Sequence, residues 1–295
     1  MKVVYGHTDS IYVTIDSIEK GKKIVSKLNE EIRKIFPNVM GLKEHPVTLE
    51  FEKYYHSLGV GATKNRNAGL ITWKDGKDLK EMEFTMTGFT AKRVSETKLA
   101  KEVQINTLKM WIEGTKKSEI LNYLNNVYSN VLLGKVTLDS LIKRSRYREE
   151  RFNVKCKNCK RKTTLFKLMN NPCCTSMKIE TLEGKRPAVG SGIEGIIFYN
   201  SNHEVPIEDS YIFVKVSYIN KKYMHPLYQK LTEPSYLSAN TLAELDLLIS
   251  KHGTIDYKHY ANMVVKKAEP IFNAMGWDSK EIIKDNRQKE IEEWF

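Results

Sequence analysis

Along the first 15 residues two short β-branched runs, Val3-Val4-Tyr5 and Ile11-Tyr12-Val13, flank the turn-prone Gly6-His7-Thr8-Asp9. That alternation predicts a β-hairpin with Asp9 at its tip. Ser17 stands where a helix over about 18–36 would take its N-cap. Ile24, Val25, Leu28, Ile32 and Ile35 follow at helical spacing, and Pro37 comes just after the end. Segments 47–60, 68–73 and 82–89 read as strands, with Asp75-Gly76 as a turn between the last two. Together they predict a mixed α/β unit ending near residue 93.

From 97 to 145 the period becomes helical, with Leu99, Val103, Leu108, Trp111 and Ile112 on one face and Gly114 as a stop. A second helix is expected over about 117–133. A basic stretch at 143–167, a strand at 211–218 and helices at 241–251 and 256–275 complete the pattern, which contains no internal repeat or low-complexity block.

Composition narrows the class of protein. With 41% hydrophobic and 28% charged residues, and no apolar run near the roughly 20 residues of a membrane span, the chain reads as an ordinary globular protein without a membrane anchor. Its start lacks the pattern of a secretory signal, so a cytoplasmic location is expected. A formal net charge of +12 favours a polyanionic partner, nucleic acid first. Four cysteines in 295 residues are too few for a disulfide scaffold and point to a metal or to thiols.

The string Tyr5-Gly6-His7-Thr8-Asp9-Ser10-Ile11-Tyr12-Val13 resembles motif C of family B DNA polymerases, usually Tyr-Gly-Asp-Thr-Asp-Ser followed by a strand. The resemblance continues in family order. It runs through LEFEKYY at 49–55, TKNRNAGL at 63–70, GFTAKRVSETKLAKEVQ at 88–104, DYKHY at 256–260 and PIFNAMGW at 270–277. It implies an α+β fold: a palm-type mixed sheet with the motif C hairpin and packed helices over 1–95, then a mostly helical thumb over 96–285 with a cysteine-containing insert around 150–180. The implied enzyme is a DNA-directed DNA polymerase acting on primer-template DNA and dNTP in the nucleoid. Motif A, the fingers and the exonuclease would come from a partner chain.

Asp9 matches the second motif C aspartate, which in the family binds two Mg²⁺ together with an aspartate of motif A. His7 stands at the first aspartate, and a neutral imidazole supplies neither an oxygen ligand nor a negative charge. Two readings follow: Asp9 suffices, or the centre has lost part of its chemistry and the chain is a DNA-binding and clamp-binding scaffold. Asn67 replaces a tyrosine that in the family grips the primer-template. The family's Arg-Arg-Asp reads Arg93-Val94-Ser95 here. Lys64, Arg66, Lys92 and Arg93 remain for phosphate contacts. Glu50 and Glu52 match acidic positions near the metals, and equally a strand with surface carboxylates.

Cys156-x2-Cys159, followed by Cys173-Cys174, resembles a zinc knuckle with an irregular second half. Zn²⁺ and ordinary thiols are both open, because adjacent cysteines are awkward around one ion. Basic Lys155, Lys157, Lys160 and Arg161 surround the first pair. At the C-terminus, Gln288, Ile291, Trp294 and Phe295 in QKEIEEWF resemble the sliding-clamp-binding peptide of replication proteins, expected over 286–295. An amphipathic terminal helix packed on the body is the alternative.

Overall fold

The computed structural model describes residues 1–283 except 8, 149–152, 176–177, 186–190, 204–205, 208 and 224–234. The fold is α+β, and every strand pairing among the described residues is antiparallel. The chain divides into two compact units. One takes Met1–Phe89, Ile105–Asn122 and Ala268–Glu281; the other takes Thr90–Gln104 and Tyr123–Lys267, with Ile282 at its C-terminal end.

The first unit opens with the expected hairpin, β1 (Val3–His7) and β2 (Ser10–Val13), and with helix α1 (Ile18–Ile35). Ser17 holds an extended φ of −155° and its hydroxyl accepts the Lys20 N–H at 3.2 Å, while Arg33 and Lys34 sit in the last turn near the exposed carbonyls. Gly21 is the buried point of α1: a Cβ there would meet the Phe51 ring at 2.7 Å. Phe51 in turn lies 4.9 Å from Trp73, ring to ring, at a 30° tilt, so the helix reaches the sheet through an aromatic pair.

That sheet is β3 (Lys53–Val60), β4 (Asn67–Lys74) and β5 (Lys77–Thr87), in that order. Central β4 buries Asn67, Ala68, Leu70, Ile71 and Trp73, which accounts for its largely apolar sequence, interrupted at Thr72. Asp75 and Gly76 both take positive φ, 49° and 86°, as a two-residue hairpin loop requires. The strand expected from residue 47 begins only at Lys53, because its partner β4 ends opposite Lys53 at Lys74 and then turns. Beyond that point one contact continues the ladder, Asp75 N–H to the Glu52 carbonyl at 3.1 Å.

Helix α2 (Lys98–Ile112) ends at Gly114 with φ 77°, as the sequence predicts, and α3 (Lys117–Leu132) follows. The helical pattern then stops short of 145. After the single turn α4 (Leu138–Leu141) the chain enters β6 (Lys143–Arg146), a basic edge strand, Lys-Arg-Ser-Arg, that hydrophobic periodicity does not signal.

The second unit is built on β10 (Ser210–Ile219), which pairs with β6 along 210–213, with β11 (Tyr236–Ala239) and with β12 (Gly253–Ile255). Helix α6 (Ser191–Asn202) lies against β11, where a Cβ on Gly195 would meet the Ser238 hydroxyl at 2.2 Å. Helix α7 (Leu242–His252) opens with a complete capping box, Thr241 with Glu244. Helix α8 (Tyr257–Met275) follows, belonging to this unit up to Lys267, and a 3₁₀ turn, Ser279–Ile282, comes last among the described elements. A further small sheet, β8 (Lys162–Thr164), β7 (Asn153–Cys156) and β9 (Ile179–Thr181), carries helix α5 (Leu165–Asn170). No helix among the described residues is long and apolar enough to cross a membrane.

Candidate functional site

Asp9 stands exposed in the turn of the first hairpin, next to the His7–Ser10 pair that closes the ladder; for His7 only the backbone is described. Three tyrosines tie this hairpin to the main sheet of its unit. Tyr5 and Tyr12 lie 5.3 Å apart between ring centres, and Tyr12 and Tyr55 lie 6.0 Å apart. The Tyr55 phenol is held well above its ordinary range, first by burial, then by the neighbouring Tyr12 hydroxyl and the charges of Glu52 and Glu83. It therefore stays neutral beneath the hairpin. Glu50 and Glu52 precede β3 and are exposed, and Glu52 pairs with Lys53 at 2.8 Å.

Lys64 and Arg66 lie in the loop between β3 and β4, which closes where the Gly61 N–H donates to the Arg66 carbonyl at 2.8 Å. Asn65 takes φ 62° at its apex. This loop rests on Gly88: a Cβ built there would fall 1.9 Å from the Asn65 carbonyl oxygen, and Gly88 itself has φ 76°. Only glycine permits that approach. The strings TKNRNAGL and GFTAKR are thus brought into contact at Asn65 of the first and Gly88 of the second. Asn67 is 4% exposed and begins β4, opposite Val60 and Thr87.

Lys92 and Arg93 are both exposed, on and just after a single 3₁₀ turn, Thr90–Lys92. The turn itself is fixed from beneath. Gln104 Oε1 accepts the Ala91 N–H at 2.8 Å and the Thr90 hydroxyl at 3.2 Å, and Lys267 Nζ donates to that hydroxyl at 2.8 Å and to Glu96 at 2.5 Å. Lys143 reaches the same carboxylate at 3.4 Å. Burial pushes the Glu96 carboxyl up, but the Lys267 hydrogen bond and the charges of Lys143 and Lys267 outweigh it and hold the group below its ordinary range. Sequence reasoning passed over Glu96, Gln104 and Lys267. The signal for Lys267 was its spacing from buried Tyr260 and Val264, which puts a charge on the buried face of α8.

The two C-terminal strings that resemble the family have local work too. Asp256 Oδ1 accepts the His259 N–H at 2.9 Å and so caps α8, and the buried Tyr260 hydroxyl accepts the Lys215 N–H at 2.8 Å, which docks α8 on β10. In the other, Gly276 turns with φ 67° and Trp277 folds back, its N–H on the Phe272 carbonyl at 2.8 Å and its ring edge-on to Phe272.

Cys156, Cys159, Cys173 and Cys174 are brought together, with their sulfur atoms all within 4.8 Å of one another. The two adjacent cysteines turn to different partners: Cys173 Sγ is 3.2 Å from Cys159, and Cys174 Sγ is 4.0 Å from Cys156. The Cys159 and Asn158 N–H groups donate to the Cys156 sulfur and lower its thiol to about 7, and the Arg161 N–H lowers Cys159 likewise. Cys173 is pushed up to about 12, first by its contact with Cys159, and Cys174 is raised for the same reason. The four thiols form a cluster able to hold a metal ion. Of the basic residues around it, Lys155, Lys157 and Lys160 converge instead on the buried Glu180 carboxylate, at 3.5, 3.7 and 3.8 Å. Gln288, Ile291, Trp294 and Phe295 lie outside the described residues.

The sequence profile described as DNA polymerase family B matches residues 1–275. The chain belongs to that family. It is similar to a DNA polymerase of Archaeoglobus fulgidus, 27% identical over 143 residues, which is 48% of this chain and 16% of the relative. DNA polymerase zeta catalytic subunit of Arabidopsis thaliana matches at 26% over 48% of this chain and 7% of its own length, and DNA polymerase 2 of Aeropyrum pernix at 25% over 48% and 15%. The chain therefore spans a small fraction of the relatives it matches. Within the family B match, the hairpin bearing Asp9, the Gly88 contact, the Gln104 anchor and the Asp256 cap fall in the strings that resemble the family.

Proposed function

We propose that this chain is the C-terminal palm and thumb portion of a DNA-directed DNA polymerase. It acts in the nucleoid with a partner polypeptide that carries motif A, the fingers and the exonuclease. The observation that carries this reading is the family B match over 1–275, with Asp9 exposed at the hairpin tip that resembles motif C. Mg²⁺ takes oxygen ligands, and the exposed Asp9 carboxylate fits that requirement as one of a pair whose other member is the motif A aspartate. Two such ions, when bound, stabilise the attacking 3′ oxygen and the departing pyrophosphate as a dNTP is joined to the primer.

The chain's own residues position the nucleic acid. Lys64 and Arg66, on a loop fixed by Gly88, and Lys92 and Arg93, on a turn fixed by Gln104 and Lys267, neutralise backbone phosphates of the primer-template without reading its sequence. The C-terminal QKEIEEWF tethers the assembly to a sliding clamp. Such a tether raises the local concentration of the polymerase on DNA already bound by the clamp.

A second reading rests on His7, and on Asn67, Val94 and Ser95 as further departures from the family strings: the same basic residues and clamp peptide serve a DNA-binding scaffold that does not polymerise. Primer extension separates the two. The full chain, purified together with the polypeptide bearing motif A, is expected to extend a primer in Mg²⁺ only when both polypeptides are present. An inert complex that gains synthesis on His7→Asp supports the scaffold.

A further inference from the structure

We infer that Cys156, Cys159, Cys173 and Cys174 bind one structural Zn²⁺ that holds together the small module of β7, β8, α5 and β9. This centre is independent of the polymerase reaction. Zn–S bonds of about 2.3 Å put the sulfurs of a tetrahedron roughly 3.8 Å apart. The measured pairs, 3.2 and 4.0 Å, bracket that spacing, and no pair exceeds 4.8 Å. Closing onto an ion thus needs side-chain shifts of roughly 1 Å or less. Four sulfurs within 4.8 Å of one another suit one ion rather than a multi-iron cage, and four protein ligands leave no position for a substrate or water, which makes the centre structural.

The backbone is already arranged as a metal knuckle. Lys160 takes the left-handed φ of 62°, and its N–H returns to the Cys156 carbonyl at 3.0 Å. That turn aims the Asn158 and Cys159 N–H groups at the Cys156 sulfur and the Arg161 N–H at Cys159, so backbone donors offset thiolate charge at both. On the far side, the bend after α5 directs Cys173 and Cys174 to different members of the first pair, which resolves the awkwardness of adjacent ligands.

The module also needs a staple. From Asn153 to Thr181 it spans roughly 30 residues of the second unit, too few to build a hydrophobic core of its own. Its buried apolar side chains are few: Val154, Leu165, Phe166, Leu168, Met169 and Ile179. Cys156 is fully buried among them, so an ion there would cross-link the first strand of the module to the turn after its helix. Three lysines, Lys155, Lys157 and Lys160, gather around the one buried carboxylate of Glu180 beside the knuckle, so the surroundings of the cluster stay net positive and offset the charge of thiolate ligands.

The test is elemental analysis of the full chain, purified from zinc-replete cells and passed through gel filtration. One zinc per chain is expected, falling below a tenth in the Cys159→Ser, Cys173→Ser double variant, with hydrogen exchange over 153–181 accelerated by chelator and exchange over β4 and β5 unchanged. Should the variant fail to fold, the wild-type chain is stripped and reloaded with Co²⁺, which must show the visible bands of tetrahedral cobalt thiolate. Iron in place of zinc, zinc that persists in the double variant, or four thiols titrating with Ellman's reagent in a zinc-free native chain overturns the inference.

Discussion

A Cβ on Gly88 would lie 1.9 Å from the carbonyl oxygen of Asn65, so the chain just past the end of β5 is pressed directly against the loop that bears Lys64 and Arg66. Gly76 has a similar positive φ, 86° against 76°, but open space where its Cβ would be. The pair separates strain from contact. Gly76→Ala should cost about 1 kcal/mol, the left-handed strain alone. Gly88→Ala should cost a further ~1–3 kcal/mol, because backbone must move. Urea unfolding of the two variants checks this, and equal midpoints would show that the loop does not rest on Gly88.

The Lys267–Glu96 pair, each side chain 11% exposed, sets a pH dependence. Glu96 is held below its ordinary value of 4.5, so its contribution to stability is complete above that value and is lost as pH falls through the lower folded value. Thermal unfolding should therefore show wild type losing its advantage over Glu96→Gln as pH drops from about 5 to about 3. At neutral pH, Lys267→Met should cost less than the about 3 kcal/mol of a fully stranded buried carboxylate, because Lys143 still reaches Glu96 at 3.4 Å. Parallel pH profiles for wild type and Glu96→Gln would refute the assignment.

Binding to duplex DNA should be salt-dependent and indifferent to sequence. If Lys64, Arg66, Lys92 and Arg93 each neutralise one phosphate, changing all four to Ala should lower the slope of log affinity against log salt by about 3–4. Fluorescence anisotropy over a salt series measures it. An unaltered slope would remove these residues from the DNA interface.

The terminal peptide QKEIEEWF should bind a sliding clamp at micromolar affinity, about −8 kcal/mol, with Ile291, Trp294 and Phe295 as anchors and Gln288 as a hydrogen-bonding partner. Calorimetry compares it with a Trp294→Ala, Phe295→Ala peptide. Equal heats from both would return these side chains to packing on the body.

Much of the first unit was legible because its signals are local. Ser17 and Pro37 bracket α1, Asp75-Gly76 marks one hairpin, and β4 is buried on both faces, so its pattern is a largely apolar run. Strands β6, β8 and β12 were not legible. Their residues, Lys-Arg-Ser-Arg, Lys-Thr-Thr and Gly-Thr-Ile, carry little apolar pattern, and pairing with β10 or β7 fixes them from outside. The same limit applies to the supporting contacts. That Asn65 touches Gly88, that Lys267 reaches Glu96 and that two adjacent cysteines split between two partners are facts of tertiary approach between distant positions. The place of Asp9 in the turn of the first hairpin was legible from the β-branched runs on either side of it, and its exposure follows from that hairpin.

The central claim is that Asp9 supplies the metal-binding carboxylate of a polymerase centre, and the most direct measurement is Mg²⁺-dependent primer extension by the full chain with its motif A partner, wild type against Asp9→Ala. Duplex binding measured on the same samples confirms that both are intact. The account predicts that Asp9→Ala lowers extension at least about 10³-fold while DNA affinity stays within about twofold. Extension by Asp9→Ala at the wild-type rate would contradict it.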